Sequence, residues 1–324
     1  MQRVLFVVDE DPHACWDLDL SDKNLEFLQG IDAGFFEYTA RLHAGQLDGD
    51  EKLRAALGIR VAYSQGLETL FALLCSGIQA PQCVAGWMTS YWPSQLVSLV
   101  RKISARQVVY SRLNGGIATW ESMSAMVHRY LPYDADKKQW IEDGFARFWA
   151  RLAHEFTDEL LSEEYNAAKH GLRTKLGGFA LAFGAEKSRG VQPPPETMEL
   201  IGESEFGTSF FRRQPITDRL NFRLRRVCRN WDPVNLGTGL LLISMSITNV
   251  ASFLRIVNGE APNKCRFENP EEPAAFDEPW KRAVGVEDLS IDLILNPSDI
   301  RPCRKEEILR SYEQERPNGS DSRE

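Results

Sequence analysis

The sequence predicts a mainly α fold, a helical bundle over residues 50–190 followed by a smaller α+β part over residues 191–304. Three observations predict it. Apolar residues recur at helical spacing in proline-free runs, at Leu53, Leu57, Val61, Leu67, Leu70 and Leu74 and again at Ile141, Phe145, Phe148, Leu152 and Phe156. After Gly177 the period changes: Leu220, Phe222 and Leu224 alternate with Asn221, Arg223 and Arg225, as in a half-buried strand. Between the two patterns, Pro193, Pro194 and Pro195 break the chain like a linker.

Residues 1–49 begin with a short apolar strand at 4–8 and continue as an irregular acidic loop. His13 and Cys15 beside Asp17 and Asp19 match no standard metal-ligand spacing, and a short helix is expected over 34–43. Residues 50–79 read as a strong helix with Asp50 as its cap. Glu68 is the odd acid in its apolar half, with Arg60 and Tyr63 upstream. Residues 81–93 read as a loop whose Trp87, Tyr91 and Trp92 cap a core, and 95–105 and 118–130 read as two more helices.

Residues 134–173 form one long helix or two in tandem, started by Pro132 and Asp134 and stopped by Gly171 and Gly177. Beyond it, strands are expected at 196–202, 208–213 and 291–295, and a buried helix at 236–257 closed by Asn258 and Gly259. Thr248, Asn249, Ser252 and Arg255 make this last helix too polar for a membrane span. Asn235, Gly237 and Gly239 ahead of it hint at an anion-binding turn but lack a full phosphate-loop pattern. Residues 305–324 read as a charged, disordered tail.

Across the 324 residues the apolar share is 43%, enough for real cores, and the net charge is −8. That charge argues against coating nucleic acid by bulk electrostatics, so any such contact must be local. Arg212, Arg213, Arg219, Arg223, Arg225, Arg226 and Arg229 form such a local excess, with only Asp218 against them in the same interval. Arg223 and Arg225 share a strand face and are expected to lie exposed and grip phosphates, unless acids in 268–278 and 287–292 neutralise them. Six dispersed cysteines without a CxxC suit a reducing, cytoplasmic setting, and no cofactor or metal is expected.

The densest polar stretch is Glu163-Glu164-Tyr165-Asn166-Ala167-Ala168-Lys169-His170-Gly171-Leu172-Arg173. If the 134–173 helix is straight, the stripe ending at Phe156 continues as Glu159, Glu163, Asn166, His170 and Arg173, so polar groups in a core position need a partner or a cavity. If the helix bends near Thr157, the same groups lie in water. Glu68 is the expected partner of Lys169 or His170 across a helix packing, with Glu163 and Tyr165 in support.

A bundle of about four helices whose last helix ends in Asn166-Ala167-Ala168-Lys169-His170 resembles the HEPN superfamily over residues 50–175. The resemblance implies a defence-associated, RNA-directed module, possessing in many members a metal-independent endonuclease activity as a homodimer through an Arg-x4–6-His motif. In that role His170 is the general acid or base, Lys169 stabilises phosphorane charge, Asn166 orients a phosphate oxygen, and the RNA 2′-hydroxyl attacks. The departure is that Glu163, Glu164 and Tyr165 stand where the arginine before His170 belongs; Arg147 and His154 keep the spacing but point away from their helix's core stripe. The alternative function is a non-enzymatic interaction protein in which the Tyr-Asn-Lys-His cluster is a structural network.

Overall fold

The computed structural model describes residues 2–17, 20–111, 117–215, 222–292 and 303–315. An antiparallel hairpin comes first, β1 (Gln2–Val8) and β2 (Asp11–Asp17). The segment expected to be an irregular acidic loop is therefore a strand, because pairing with β1 satisfies its backbone and Phe6 stacks on His13 at 5.3 Å. A run of helices follows: α1 (Leu20–Gln29), α2 (Gly34–Ala44), α3 (Lys52–Gln79), α4 (Val84–Ser90), α5 (Pro93–Ser104), α6 (Trp120–Val127), α7 (Ala135–Phe156) and α8 (Glu159–Lys169). Next come β3 (Thr174–Leu176), β4 (Ala180–Phe183), β5 (Glu199–Glu203), β6 (Gly207–Pro215) and β7 (Phe222–Asn230), then α9 (Pro233–Val257), β8 (Asp288–Asp292) and α10 (Lys305–Glu315). The fold is mainly α with a smaller sheet part.

Helix α3 begins at Lys52, with Glu51 rather than Asp50 at its cap position and no side-chain capping bond. The expected 81–93 loop contains α4, since the Trp87 ring is fully buried and its Nε1 donates to Gln79 Oε1 at 3.1 Å; Tyr91 stacks on it at 5.3 Å. Lys305–Glu315 is helical where the sequence predicts a disordered tail; residues 316–324 lie outside the described residues, as do 216–221, with the start of the alternating 220–227 run, and the end of the 291–295 strand.

The division near residue 190 does not coincide with packing. One apolar core runs from Phe6 to Phe276, and α9 sits at its centre against α1, α2, α3 and α6. Leu240, Ile243, Ile247 and Leu254 are its most buried contacts, and α3 approaches closely because Gly66 has no Cβ, which would stand 3.0 Å from the Ile243 methyl. By length and composition α9 is apolar enough to cross a bilayer, yet most of it is buried inside this fold. Its polar residues are tied to neighbouring loops: Ser252 Oγ donates to the Arg266 carbonyl at 2.6 Å, and Asn249 exchanges two hydrogen bonds with the backbone of Glu268 at 2.6 and 2.7 Å. The Asn235–Gly239 segment lies inside α9, and Asp232 accepts from the Val234 and Asn235 amides, so its carboxylate already fills the place an anion would take.

The 134–173 run is two helices. Asp134 caps α7 by accepting from the Lys137 amide, and Asp158 caps α8 by accepting from the Leu160 amide at 2.9 Å. Two caps in one run reset the helical phase: α8 buries Leu161, Glu164, Ala167 and Ala168 and turns Glu159, Asn166 and His170 to solvent. Left-handed backbone at Gly171 (φ +94) and Leu172 (φ 49) then carries the chain into β3.

The main sheet is antiparallel in the order β3-β6-β7-β8, while β4 and β5 form a separate hairpin. One face of the main sheet lies on α8, where Phe210 and Val227 are buried with Ala167. The alternate residues of the same strands face outward.

Candidate functional site

On the inward face the strands and helices meet at Glu164. Its side chain is 2% exposed and receives the Arg60 guanidinium on Oε2, from Nε at 3.0 Å and Nη2 at 2.6 Å. The other oxygen accepts from Trp231 Nε1 at 3.0 Å and from the Thr208 hydroxyl. Arg229 stands behind with Nη1 3.8 Å from Glu164 Oε2, and its remaining nitrogens pair with Asp288 at 2.6 Å and Asp158 at 3.2 Å. Burial pushes the Glu164 carboxyl up, but Arg60, Arg229 and Thr208 outweigh it and hold the group below the usual carboxylate range. One carboxylate thus ties α3, α8, β6 and the β7–α9 junction together.

The arginines of β7 obey the same logic. Arg223 and Arg225 are half-buried, in the strand phase of Val227 and Arg229, and not on the exposed face expected for them. Arg223 Nε donates to Gln214 at 2.9 Å, and Arg225 lies opposite Arg212 and Asp292. The cause is α8: its acids Asp158, Glu159, Glu163 and Glu164 lie under this face. Arg212 pairs with Glu159 at 3.1 Å and Glu163 at 2.9 Å. Carboxylates of α8 thus share the neutralising with Asp288, which lies in the expected 287–292 stretch.

Asn166, Lys169 and His170 are exposed at the C-terminal end of α8. His170 is the residue that ends the helix, its backbone amide bonding the Asn166 carbonyl at 3.0 Å. Among the described residues no side-chain hydrogen bond orients its imidazole, so the convergence that acid–base catalysis needs is not built around it. Glu68 is half-buried and accepts from Tyr91 Oη at 3.3 Å. Burial, then the Glu68 charge, push the Tyr165 phenol up, and Lys169 Nζ lies 5.3 Å from the Tyr165 ring centre. Tyr165 is thus the common neighbour of Glu68 and Lys169. Glu163 is half-buried on the rim of the arginine face, and Glu164, which the sequence reading passes over, carries the network.

Past His170 the chain turns onto the sheet's outward face, where a groove of about 510 Å³ opens. Arg173, Lys175 and Arg226 line it together with Phe179 and Phe211, and among the described residues no carboxylate side chain does. Burial pushes its Cys228 thiol up, away from the reactive thiolate. With Lys169 and His170 on the approach, the segment 169–175 carries three permanent cations and no acid. This arrangement can bind an anion held by several cations beside aromatic rings.

A second cleft, about 520 Å³, lies beside the Glu164 network and is lined by His154, Glu155 and Trp280 among others. Glu155 is saturated by Tyr63 Oη at 2.7 Å and Trp280 Nε1 at 2.8 Å. The cleft's Glu155, Asp158, Asp232, Glu287 and Asp288 outnumber its guanidiniums Arg60, Arg229 and Arg282, which disfavours a polyanion there. Arg147 and His154 are both exposed on α7. Among the described residues no group of three or more His, Cys, Asp or Glu side chains is placed to hold a metal ion. Comparison of the chain with protein-family models, curated proteins and solved structures finds no match.

Proposed function

We propose that this protein is a cytoplasmic, RNA-directed binding module that captures the phosphate backbone without cutting it. The observation that carries the reading is the outward groove: Arg173, Lys175 and Arg226 converge with no acid in the lining, in a chain whose net charge is −8. Such local concentration of cations is the footprint a nucleic-acid contact leaves on an otherwise acidic protein. In this reading the helices form a HEPN-like bundle presenting the groove, and Asn166, Lys169 and His170 extend its cationic rim. Exposure of His170 without an orienting partner favours capture over catalysis.

The test is fluorescence anisotropy with a labelled RNA in EDTA across a salt series. The Lys175→Glu, Arg226→Glu double variant is expected to weaken binding at least 10-fold. Its salt slope is expected to fall by about 0.7 for each phosphate of a single strand that the variant no longer neutralises. Unchanged affinity and slope overturn the proposal. Gel analysis of the same mixtures is expected to show intact RNA with wild type and His170→Ala alike; cleavage by wild type alone restores the endonuclease reading.

A further inference from the structure

We propose that the outward face of the four-stranded sheet is a stacking platform for unpaired bases, which makes the RNA of the preceding reading, on which this inference rests, single-stranded. The outward positions follow from register. Phe211 on β6 lies opposite Arg226 on β7, which lies opposite Ile291 on β8; Arg213 lies opposite Leu224, and Pro215 opposite Phe222. Phe211 is 55% exposed and Phe222 is 41% exposed. Both rings stand on the same face as the acid-free cations. Among residues whose side chains are described, no acid occupies an outward position of this sheet; Asp288 falls in the inward phase of β8, opposite Arg229.

Guanidinium and ring are already paired on this surface. Arg213 lies over the Phe222 ring at 4.0 Å from its centre, and Arg226 over Phe211 at 5.6 Å. Both partners of such a stack are planar, and a base adds to either plane without regard to its identity. The two rings are four residues apart along the paired strands, about 14 Å at the rise of an extended chain, which leaves room for more than one nucleotide between them. Charge complementarity selects the occupant. An isologous pairing of two copies would set these cations against cations, whereas a nucleic-acid backbone brings anions to the groove's Arg173, Lys175 and Arg226. Bases locked in an A-form duplex cannot offer their faces to the rings, and that requires an unpaired strand.

The experiment compares four labelled probes by anisotropy: a 12-nucleotide uridine strand, an adenosine strand of equal length, a duplex, and an abasic strand with the same phosphates. Wild type is expected to bind the uridine and adenosine strands within about threefold of each other, and at least 10-fold more tightly than the duplex or the abasic strand. Phe211→Ala with Phe222→Ala is expected to lose at least 10-fold on the base-bearing single strands while leaving abasic binding unchanged; Phe211→Trp is expected to retain full affinity. Because both rings are exposed, the melting temperature of the alanine variant serves as the folding control. Equal wild-type affinity for abasic and base-bearing strands overturns this inference and leaves backbone capture standing. Wild type that binds no probe overturns both. Self-association of wild type abolished by the alanine pair, without RNA binding, assigns the face to a second copy and also overturns it.

Discussion

The two faces of the main sheet carry arginines from the same strands and treat them in opposite ways. Inward, Arg212 and Arg229 each meet at least two carboxylates, and Arg60 of α3 joins them at Glu164. Outward, Arg226 meets the Phe211 ring, and the lining of the neighbouring groove contains no acid. A shift of one residue along β7 separates the two fates. Density of arginine in a sequence therefore says little about partners until the strand's phase is known. The inward set contributes architecture; the outward set is left to act on something else.

The comparison breaks most visibly at Glu164. Glu164→Ala leaves the buried Arg60 guanidinium without its carboxylate, while Arg229 keeps Asp288 and Asp158, and it is expected to cost about 3–5 kcal/mol. Urea unfolding measures this, and a loss below about 1 kcal/mol would mean the network is not a fold determinant. Arg60→Ala is expected to cost a similar amount, and the double variant less than the sum, because the two share one interaction.

Acid tests the interior, where a buried histidine titrates. His128 is fully buried, stacked on Phe145 at 4.6 Å, and its Nε2 faces the Asn249 side-chain amide at 3.1 Å. Burial pushes its pKa down to about 4. Between pH 6.5 and 4 the unfolded chain binds this proton and the folded chain does not, so stability is expected to fall as pH falls, by up to about 3 kcal/mol, and to level off for this group below pH 4. Glu164, whose pKa is lowered by folding, adds a loss in the same direction at lower pH. Stability of wild type and His128→Asn measured by urea at pH 7, 5.5 and 4.5 checks this; parallel losses in both proteins would remove His128 as the cause.

The smallest expected effect is on the other face. Phe211→Ser with Arg226→Ala is expected to change stability by no more than about 0.5 kcal/mol, because exposed side chains without buried partners contribute little to folding. A thermal melt decides it. A loss beyond about 2 kcal/mol would show that the outward face is structural and dissolve the contrast.

Much of this fold is legible in the sequence. The apolar spacing of α7 reads directly because it buries one stripe along many turns, α3 and α9 read from long apolar runs buried nearly all round, and the alternation of β7 identifies a strand. Phase is what the sequence hides. On a single wheel the stripe ending at Phe156 runs on through His170, but Asp158 caps a new helix and resets that wheel, so Glu164 takes the buried position and His170 the wet one. Leu161, three residues before Glu164, and Ala168, four after it, are the available signal. They place an acid within an apolar stripe, as Glu68 is placed in α3. Arg60 reads as a neighbour of Glu68, yet its partner lies 104 positions away, where only tertiary structure could bring it. On β7 simple alternation turns the apolar residues inward; the structure has the opposite phase, with Arg229 of the inward set paired to Asp158 and Phe222 and Leu224 outward.

The central position of α9 has a consequence for how the chain is made. Helices α2 and α3 leave the ribosome with their apolar faces open and meet α9 only after Val257 has been synthesised. At roughly 5–20 residues per second, that delay is on the order of ten seconds, long compared with the microseconds in which α3 itself winds. Nascent chains shorter than this expose the apolar faces of α2 and α3 that α9 covers in the finished fold.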